Sequence, residues 1–257
     1  MLNKASTGSK MCFIKCVVYD LKIQSENDKS DLNFTIGTDC ISAVLKKRSA
    51  MCSVIRNFKY RFIPALNTFS SDSDFDALYP DSVQKHSFIH WTPIEILETA
   101  LDWLQLESSS HVLDIGSGAG KFCIVAGSRS KARFTGVEMR EDLVKVANET
   151  LAKIGMGNVE FVQADITTID FKEYTHFYYY NPFCEYIAEF DRIDDTITYD
   201  PETFRKLEDY VIDQFEQLPV NTRVVTYCSE SFPFPASYEL KDMLYDGKLA
   251  LWVKTKP

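Results

Sequence analysis

The stretch Val112-Leu-Asp-Ile-Gly-Ser-Gly-Ala-Gly120 decides the fold of this chain. The apolar run from His111 to Ile115 predicts a buried strand. Glycines at three alternate positions let the backbone turn sharply into a helix, which the pattern predicts over residues 121–128. Such a turn lets a ligand lie against main-chain N–H groups. A glycine-rich turn is weak evidence alone, so its meaning depends on the elements around it.

Strands and helices alternate on both sides of this turn. Upstream, Thr92 and Pro93 have the residue types of a hydroxyl cap and a first-turn proline, and apolar residues follow at helical spacing as far as Leu104. Downstream, the pattern predicts strands over 133–138, 159–162, 176–180 and 223–228, and helices over 140–154 and 200–218. Strands separated by helices are typical of a parallel sheet.

The end of the chain predicts an antiparallel hairpin. Two runs, 238–245 and 248–254, flank Asp246-Gly247, a dipeptide typical of two-residue hairpin turns. Together with the parallel strands, the hairpin predicts an α/β fold. We expect a doubly wound, mostly parallel seven-strand sheet with a C-terminal antiparallel hairpin.

Acidic residues accompany three successive strands of the predicted sheet. Asp114 precedes the glycines, Glu138 ends the second strand, and Asp165 follows the third. Open α/β folds bind ligands at the carboxyl edge of the sheet, so we expect these carboxylates along one cleft. A carboxylate that ends the second strand is placed to bind ribose hydroxyls. The Gly-x-Gly-x-Gly spacing differs from the Gly-x-Gly-x-x-Gly of nicotinamide enzymes and argues against that cofactor.

The region from Thr92 to Asp165 resembles the class I, S-adenosylmethionine-dependent methyltransferases, through 112–120, Glu138 and Asp165. The terminal hairpin resembles the reversed last strand of that family. The resemblance implies an α/β methyltransferase domain over 71–257 with S-adenosylmethionine as cofactor (EC 2.1.1.-). Residues 1–70 lie outside it and form an N-terminal extension of unassigned fold, because Ser70-Ser71-Asp72-Ser73-Asp74 has the composition of a linker.

The resemblance also implies roles for individual residues. Asp114 and the glycine turn would lie near the methionine part of the cofactor, Glu138 would bind the ribose, and Asp165 with Ile166 would face the adenine. The complete implied cofactor-binding set is Thr92, Asp114, Gly116, Ser117, Gly118, Gly120, Glu138, Asp165 and Ile166.

The fourth strand ends in Tyr178-Tyr-Tyr-Asn-Pro-Phe183. Many class I enzymes have Asn/Asp-Pro-Pro-Tyr here, where the amide and a backbone carbonyl orient an attacking nitrogen and the ring stacks on it. By this resemblance Asn181, Pro182 and Phe183 are the candidate catalytic residues. The second proline is missing and Cys184 follows, a departure that makes a nucleic-acid amino group a doubtful acceptor. Alternatively, Asn181 caps the next segment and Phe183 packs in the core.

A second segment favours a protein acceptor. His90-Trp-Thr-Pro93 resembles the entry segment of class I lysine methyltransferases, where it closes over the cofactor. This entry, the Tyr-x-x-Asn-Pro-Phe segment and Ile193-Asp-Asp-Thr196 are also similar to bacterial methyltransferase-domain proteins of unnamed substrate. The alternative is that His90 and Trp91 form a packed lid with no chemical role.

Charge and cysteine usage exclude some partners. The net charge is −9, and residues 1–67 carry 11 Lys/Arg against 5 Asp/Glu, which leaves −15 for the remainder. An acidic body repels phosphates, so nucleic acid is not expected as a substrate, although the basic front could meet an acidic partner. Seven scattered cysteines predict reduced thiols, a cytoplasmic location and no metal site. No apolar run reaches the roughly 18 residues of a membrane span or forms a secretion signal, so no membrane partner is expected.

These observations predict an S-adenosylmethionine-dependent methyltransferase that is directed to nitrogen. The expected acceptor is a protein side chain, such as lysine, or a small molecule. Two alternatives remain open: a small-molecule O-methyltransferase with a base near His90, and a protein that binds the cofactor without transferring the methyl group. The oligomeric state is left open.

Overall fold

The computed structural model describes residues 69–188 and 190–257. The expectation of an extension over 1–70 therefore falls almost wholly outside the described residues and stays a prediction. Within the described part of the chain, no helix is long and apolar enough to cross a bilayer.

The described residues contain a seven-strand sheet. The strands are β1 His111–Ile115, β2 Arg133–Glu138, β3 Val159–Gln163, β4 His176–Tyr180, β5 Arg223–Tyr227, β6 Tyr238–Leu244 and β7 Leu249–Lys254. Their order is β3-β2-β1-β4-β5-β7-β6. Strands β1 to β5 are parallel to one another, whereas β7 runs antiparallel to both β5 and β6. The predicted fold is thus confirmed. The hairpin turn is longer than predicted, because Leu244 pairs with Leu249 and four residues join the strands.

Helices cover both faces of the sheet. They are α1 Asp72–Asp76, α2 Asp81–Gln84, α3 Ser87–His90, α4 Ile94–Leu104, α5 Lys121–Arg129, α6 Glu141–Ile154 and α7 Pro201–Glu216, with short 3₁₀ turns at Ile166–Thr168, Phe171–Glu173 and Cys184–Tyr186. One core contains side chains of α4, α5 and α6 with Phe75, and the other contains side chains of α7 with Phe171. Burial of apolar stripes on both faces is the main force that holds such a three-layer fold together.

The segment predicted as a linker is instead part of the folded domain. Ser71 accepts a hydrogen bond from the Asp74 N–H, 3.2 Å, and so caps α1. Asp72 and Asp76 of α1 form ion pairs with the buried Nζ of Lys121 at 2.7 and 3.0 Å. The composition was misleading because serine and aspartate are favoured at helix N-termini as well as in loops.

The start of α4 also differs from the prediction. The cap does not come from Thr92, whose buried hydroxyl lies 2.9 Å from the hydroxyl of Tyr178. The Ile94 N–H instead donates to Asp72 Oδ1 at 3.0 Å. A cap supplied from another helix leaves no local sequence pattern. By contrast, the cap of α7 is local, because Asp200 accepts from the N–H groups of Glu202 and Thr203.

Candidate functional site

The glycine turn lies at the carboxyl edge of the sheet, between β1 and α5. The N–H groups of Gly116 and Ser117 both donate to the carbonyl of Val137 at 2.9 Å, which joins the turn to β2. Gly118 has a φ of +54°, and a Cβ there would lie 2.4 Å from Cζ3 of Trp91. Only glycine fits such a position, because the backbone is left-handed and the neighbour is a buried ring. Trp91 therefore packs directly on the turn, as the lid interpretation of the entry segment expects.

Glu138 faces this turn from the end of β2. The residue is 6% exposed, and its Oε2 accepts the Gly118 N–H at 3.1 Å. Its Oε1 accepts the Arg140 N–H at 2.9 Å. The main chain thus holds the carboxylate at the sheet edge, where the predicted ribose contact requires it. Carboxylates held by charge-assisted hydrogen bonds are well suited to bind hydroxyl donors.

Arg140 connects this carboxylate to the segment after β4. Its buried guanidinium lies 3.7 Å from Glu138, 2.9 Å from Glu185 and 3.3 Å from Asp194. Glu185 is 5% exposed, and burial raises the pKa of its carboxyl, with Arg140 acting in the opposite direction. One buried cation therefore joins carboxylates from β2, from a 3₁₀ turn and from the loop beyond it.

A cleft opens between the ends of β1 to β4. The space along it measures about 490 Å³ and includes a part that is open to solvent. The sequence-predicted residues that line it are Gly116, Glu138, Asp165, Ile166, Pro182 and Phe183. The residues that the sequence did not identify are Val137, Met139, Arg140, Ala164, Tyr186, Ile197 and Leu207. Two of the three carboxylates around Arg140, those of Glu185 and Asp194, are distant in the chain, so no local pattern identifies their contacts with it.

Asp114 lies behind the cleft rather than in its lining. The residue is 3% exposed, and Cys123 Sγ donates to its Oδ2 at 3.6 Å. Burial raises the pKa of Asp114 to about 7, with the thiol contact opposing this rise and the charge of Glu138 adding to it. Outside the lining lie also Thr92, which is bonded to Tyr178, and Ser117, Gly118, Gly120 and Asn181.

The carboxyl end of β4 touches the glycine turn through Pro182. A Cβ on Gly116 would lie 2.4 Å from Pro182 Cβ, so the glycine turn and the segment after β4 are in close contact. Asn181 precedes this contact at a φ of +38°, and its N–H donates to Ser229 Oγ at 3.0 Å. Among the described residues, neither the Asn181 side-chain amide nor the Pro182 carbonyl has a hydrogen-bond partner. Asn181 therefore does not cap the following 3₁₀ turn.

Phe183 is buried, and His90 is partly buried. Phe183 is 6% exposed and packs edge-on against Tyr179, with ring centroids 6.1 Å apart, while part of it reaches the cleft. Burial lowers the pKa of His90 to about 4, helped by His86, so His90 is uncharged at neutral pH. A general base works best with a pKa near the operating pH, which disfavours His90 in that role.

The residues present fit the cofactor that the resemblance implies. The Ser117 hydroxyl is buried without a hydrogen-bond partner and packs against Gly136 of β2, outside the lining of the cleft. The glycine turn lines the cleft through Gly116, Glu138 offers a fixed carboxylate, and Ile166 with Leu207 offers apolar surface for a base. In the described ranges, no group of three or more His, Cys, Asp or Glu side chains is arranged to hold a metal ion. The expectation of no metal stays a prediction.

Comparisons with known proteins agree with the resemblance described above. Residues 106–208 match the family model described as "Methyltransferase domain". A 23S rRNA (uracil(1939)-C(5))-methyltransferase RlmD from Haemophilus parainfluenzae is 42% identical over 72 residues, 28% of this chain and 16% of that protein. The Haemophilus influenzae protein of the same name is 37% identical over 71 residues, with the same coverage. The chain thus matches only about a sixth of the length of these relatives.

One solved structure also aligns with this chain. An RNA methyltransferase from Salinibacter ruber, in complex with S-adenosyl-L-homocysteine, has a TM-score of 0.46 and 25% identity. The alignment covers 64% of this chain and 93% of that one.

The relatives overturn the expectation about nucleic acid. Net charge predicted that nucleic acid is not a partner, and the acceptor was expected to be a protein or a small molecule, but the relatives are named for methylation of 23S rRNA. The prediction was wrong because a charge of −9 is a sum over the whole chain, whereas binding depends on the local surface. The same sum also includes a front segment of opposite sign, with 11 Lys/Arg against 5 Asp/Glu.

Proposed function

We propose that this chain, whose residues 106–208 match a methyltransferase domain, uses S-adenosylmethionine to methylate RNA at an exocyclic nitrogen of a base. The names of the relatives support RNA as the acceptor. The observation that carries the choice of nitrogen is the arrangement of Asn181. Its amide has no partner among the described residues, and it lies next to the contact between Pro182 and the glycine turn.

The chain's own residues would bind and orient both reactants. S-adenosylmethionine supplies a methyl group that is already activated on a sulfonium, so alignment is the main task of the protein. We expect the glycine turn to lie against the methionine part of the cofactor and Glu138 to bind the ribose. Asn181 Oδ1 and the Pro182 carbonyl can each accept one N–H of an amino group, which directs its lone pair toward the cleft. The amine proton can leave to water, so a dedicated base is not required.

A second candidate is methylation at C5 of a pyrimidine, which the names of the relatives favour. That carbon has no lone pair, so a thiolate must first add to the neighbouring C6. Cys184 directly follows Phe183 and is the candidate thiol. Burial raises the pKa of Cys184 to about 12, with Glu185 adding to the effect. A thiol that stays protonated is a poor nucleophile, so the structure favours nitrogen.

The test is a methyl-transfer assay with labelled S-adenosylmethionine and transcribed 23S rRNA fragments, followed by mass analysis of the digested nucleosides. We expect Asn181→Ala to lower kcat about 100-fold or more, the scale for loss of one positioned transition-state contact, and to change the cofactor Kd less than twofold. Asn221→Ala is the matched control, because Asn221 also has a positive φ, +75°, and is exposed. It should remain active.

The other outcomes separate the candidates. If Cys184→Ala abolishes transfer while Asn181→Ala retains it, the product is a C5-methyl pyrimidine and the nitrogen proposal is wrong. If labelled methyl groups never appear in RNA although the cofactor binds, RNA is not the acceptor. The division of the chain at residues 70 and 71 and a cytoplasmic location stay predictions.

A further inference from the structure

The turn after β5 contacts the end of β4 through one side chain, that of Ser229. Its Oγ accepts the Asn181 N–H at 3.0 Å and donates to the Tyr227 carbonyl at 2.8 Å. A serine hydroxyl has a single proton, so these two contacts fix the direction of its O–H bond. Tyr180 pairs with Tyr227 at the last position of the β4–β5 ladder. The hydroxyl therefore joins the two main chains directly beyond the sheet.

Both main chains leave the sheet in the left-handed region at this level. The φ angle is +38° at Asn181 and +46° at Cys228. Residues other than glycine adopt this region at a cost, and such conformations persist only where the surroundings hold them. The bond to Ser229 is made by the main-chain N–H of Asn181 itself. It therefore acts directly on the conformation from which the amide side chain projects.

The segment that carries Ser229 is itself held on both sides. Before it, the Cys228 N–H donates to the Lys248 carbonyl at 2.7 Å, next to the start of β7. After it, the Phe232 N–H donates to the Ser229 carbonyl at 3.0 Å. The ring of Phe232 also lies 4.7 Å from that of Tyr179 in β4. The hydroxyl is therefore a fixed support for the end of β4.

We propose that Ser229 is a positioning residue that aims the Asn181 amide at the acceptor nitrogen. The inference rests on the proposed function, in which that amide orients the attacking group. Ser229 lies outside the lining of the cleft and acts only through the main chain of Asn181. Its loss lowers the rate of methyl transfer, because alignment of the reactants is disturbed, and leaves the binding of both reactants nearly unchanged.

The test compares Ser229→Ala and Ser229→Thr in the methyl-transfer assay with 23S rRNA fragments. We expect Ser229→Ala to lower kcat about fivefold or more, the scale of one lost hydrogen bond, and to change KM for RNA and Kd for the cofactor less than about twofold. Ser229→Thr keeps the hydroxyl and should retain most of the activity. Ser231→Ala is the matched control, because Ser231 is exposed on the same segment, and it should keep the wild-type kcat.

A double-mutant cycle separates positioning from a general loss of stability. If Ser229 acts through Asn181, Ser229→Ala has no further effect on kcat in the Asn181→Ala background, whereas a general structural effect is the same in both backgrounds. Hydrogen exchange of the Asn181 N–H, measured by NMR, gives a readout that needs no acceptor. Exchange should become faster in Ser229→Ala and not in Ser229→Thr.

The outcomes distinguish this proposal from the proposed function. The proposal is overturned if Ser229→Ala keeps the wild-type kcat, if its effect adds to that of Asn181→Ala, or if exchange of the Asn181 N–H is unchanged. Failure of the wild type to methylate RNA, or full activity of Asn181→Ala, would instead overturn the proposed function. The exchange rate would still report whether Ser229 holds the main chain of Asn181.

Discussion

The two sides of the cleft are built in different ways. On the side of β1 and β2, the site consists of the glycine turn and one carboxylate, Glu138, that main-chain N–H groups hold in place. On the side of β4, it consists of side chains on a 3₁₀ turn and a loop, connected through Arg140. The first arrangement suits a cofactor that is the same for every member of a family. The second can change with the acceptor, because loop side chains vary without disturbing the sheet.

The largest expected loss of cofactor affinity comes from a substitution in the glycine turn, on the side of β1 and β2. Gly118→Ala introduces a Cβ 2.4 Å from the Trp91 ring at a φ of +54°. The turn or the tryptophan must move, so we expect the affinity for S-adenosylmethionine to fall about 100-fold or more, measured by calorimetry. Gly157→Ala is the control, because a Cβ there meets no atom within 4 Å. Unchanged binding by the Gly118 variant would show that the packed turn is not part of the cofactor site.

A smaller loss of cofactor affinity is expected when Glu138, whose carboxylate contacts both sides of the cleft, is replaced. Glu138→Ala removes the predicted ribose contact, and Arg140 keeps its pairs with Glu185 and Asp194. We expect a loss of about 1–3 kcal/mol in binding free energy, the scale for hydrogen bonds to charged groups. The matched control is Glu141→Ala, at the exposed start of α6. Equal dissociation constants for the two variants would argue against a cofactor contact at Glu138.

The third prediction concerns stability rather than binding. Burial raises the pKa of Asp114 from 3.8 to about 7. Between these values the folded state holds a proton that the unfolded state releases, so stability falls as pH rises, by of the order of 1 kcal/mol per unit. Asp114→Asn removes this dependence. Urea unfolding from pH 4 to pH 8 should show the variant gaining stability relative to the wild type up to about pH 7, and parallel curves would contradict the assignment.

The sequence predicted the first side of the cleft better than the second. The strands at 111–115, 133–138 and 176–180 lie where the apolar pattern placed them, because strand periodicity is a local property. The position of Glu138 at the sheet edge follows from the end of β2, and that of Asp165 from the end of β3. The pairing of Lys121 with Asp72 and the contacts of Arg140 were missed, since they join residues that are far apart in the chain.

The central claim is that the cleft binds S-adenosylmethionine, and calorimetric titration tests it most directly. The purified chain is titrated with S-adenosylmethionine and, in parallel, with NAD. The account predicts micromolar binding of S-adenosylmethionine and no measurable binding of NAD. Binding of NAD alone, or of neither compound, would contradict it.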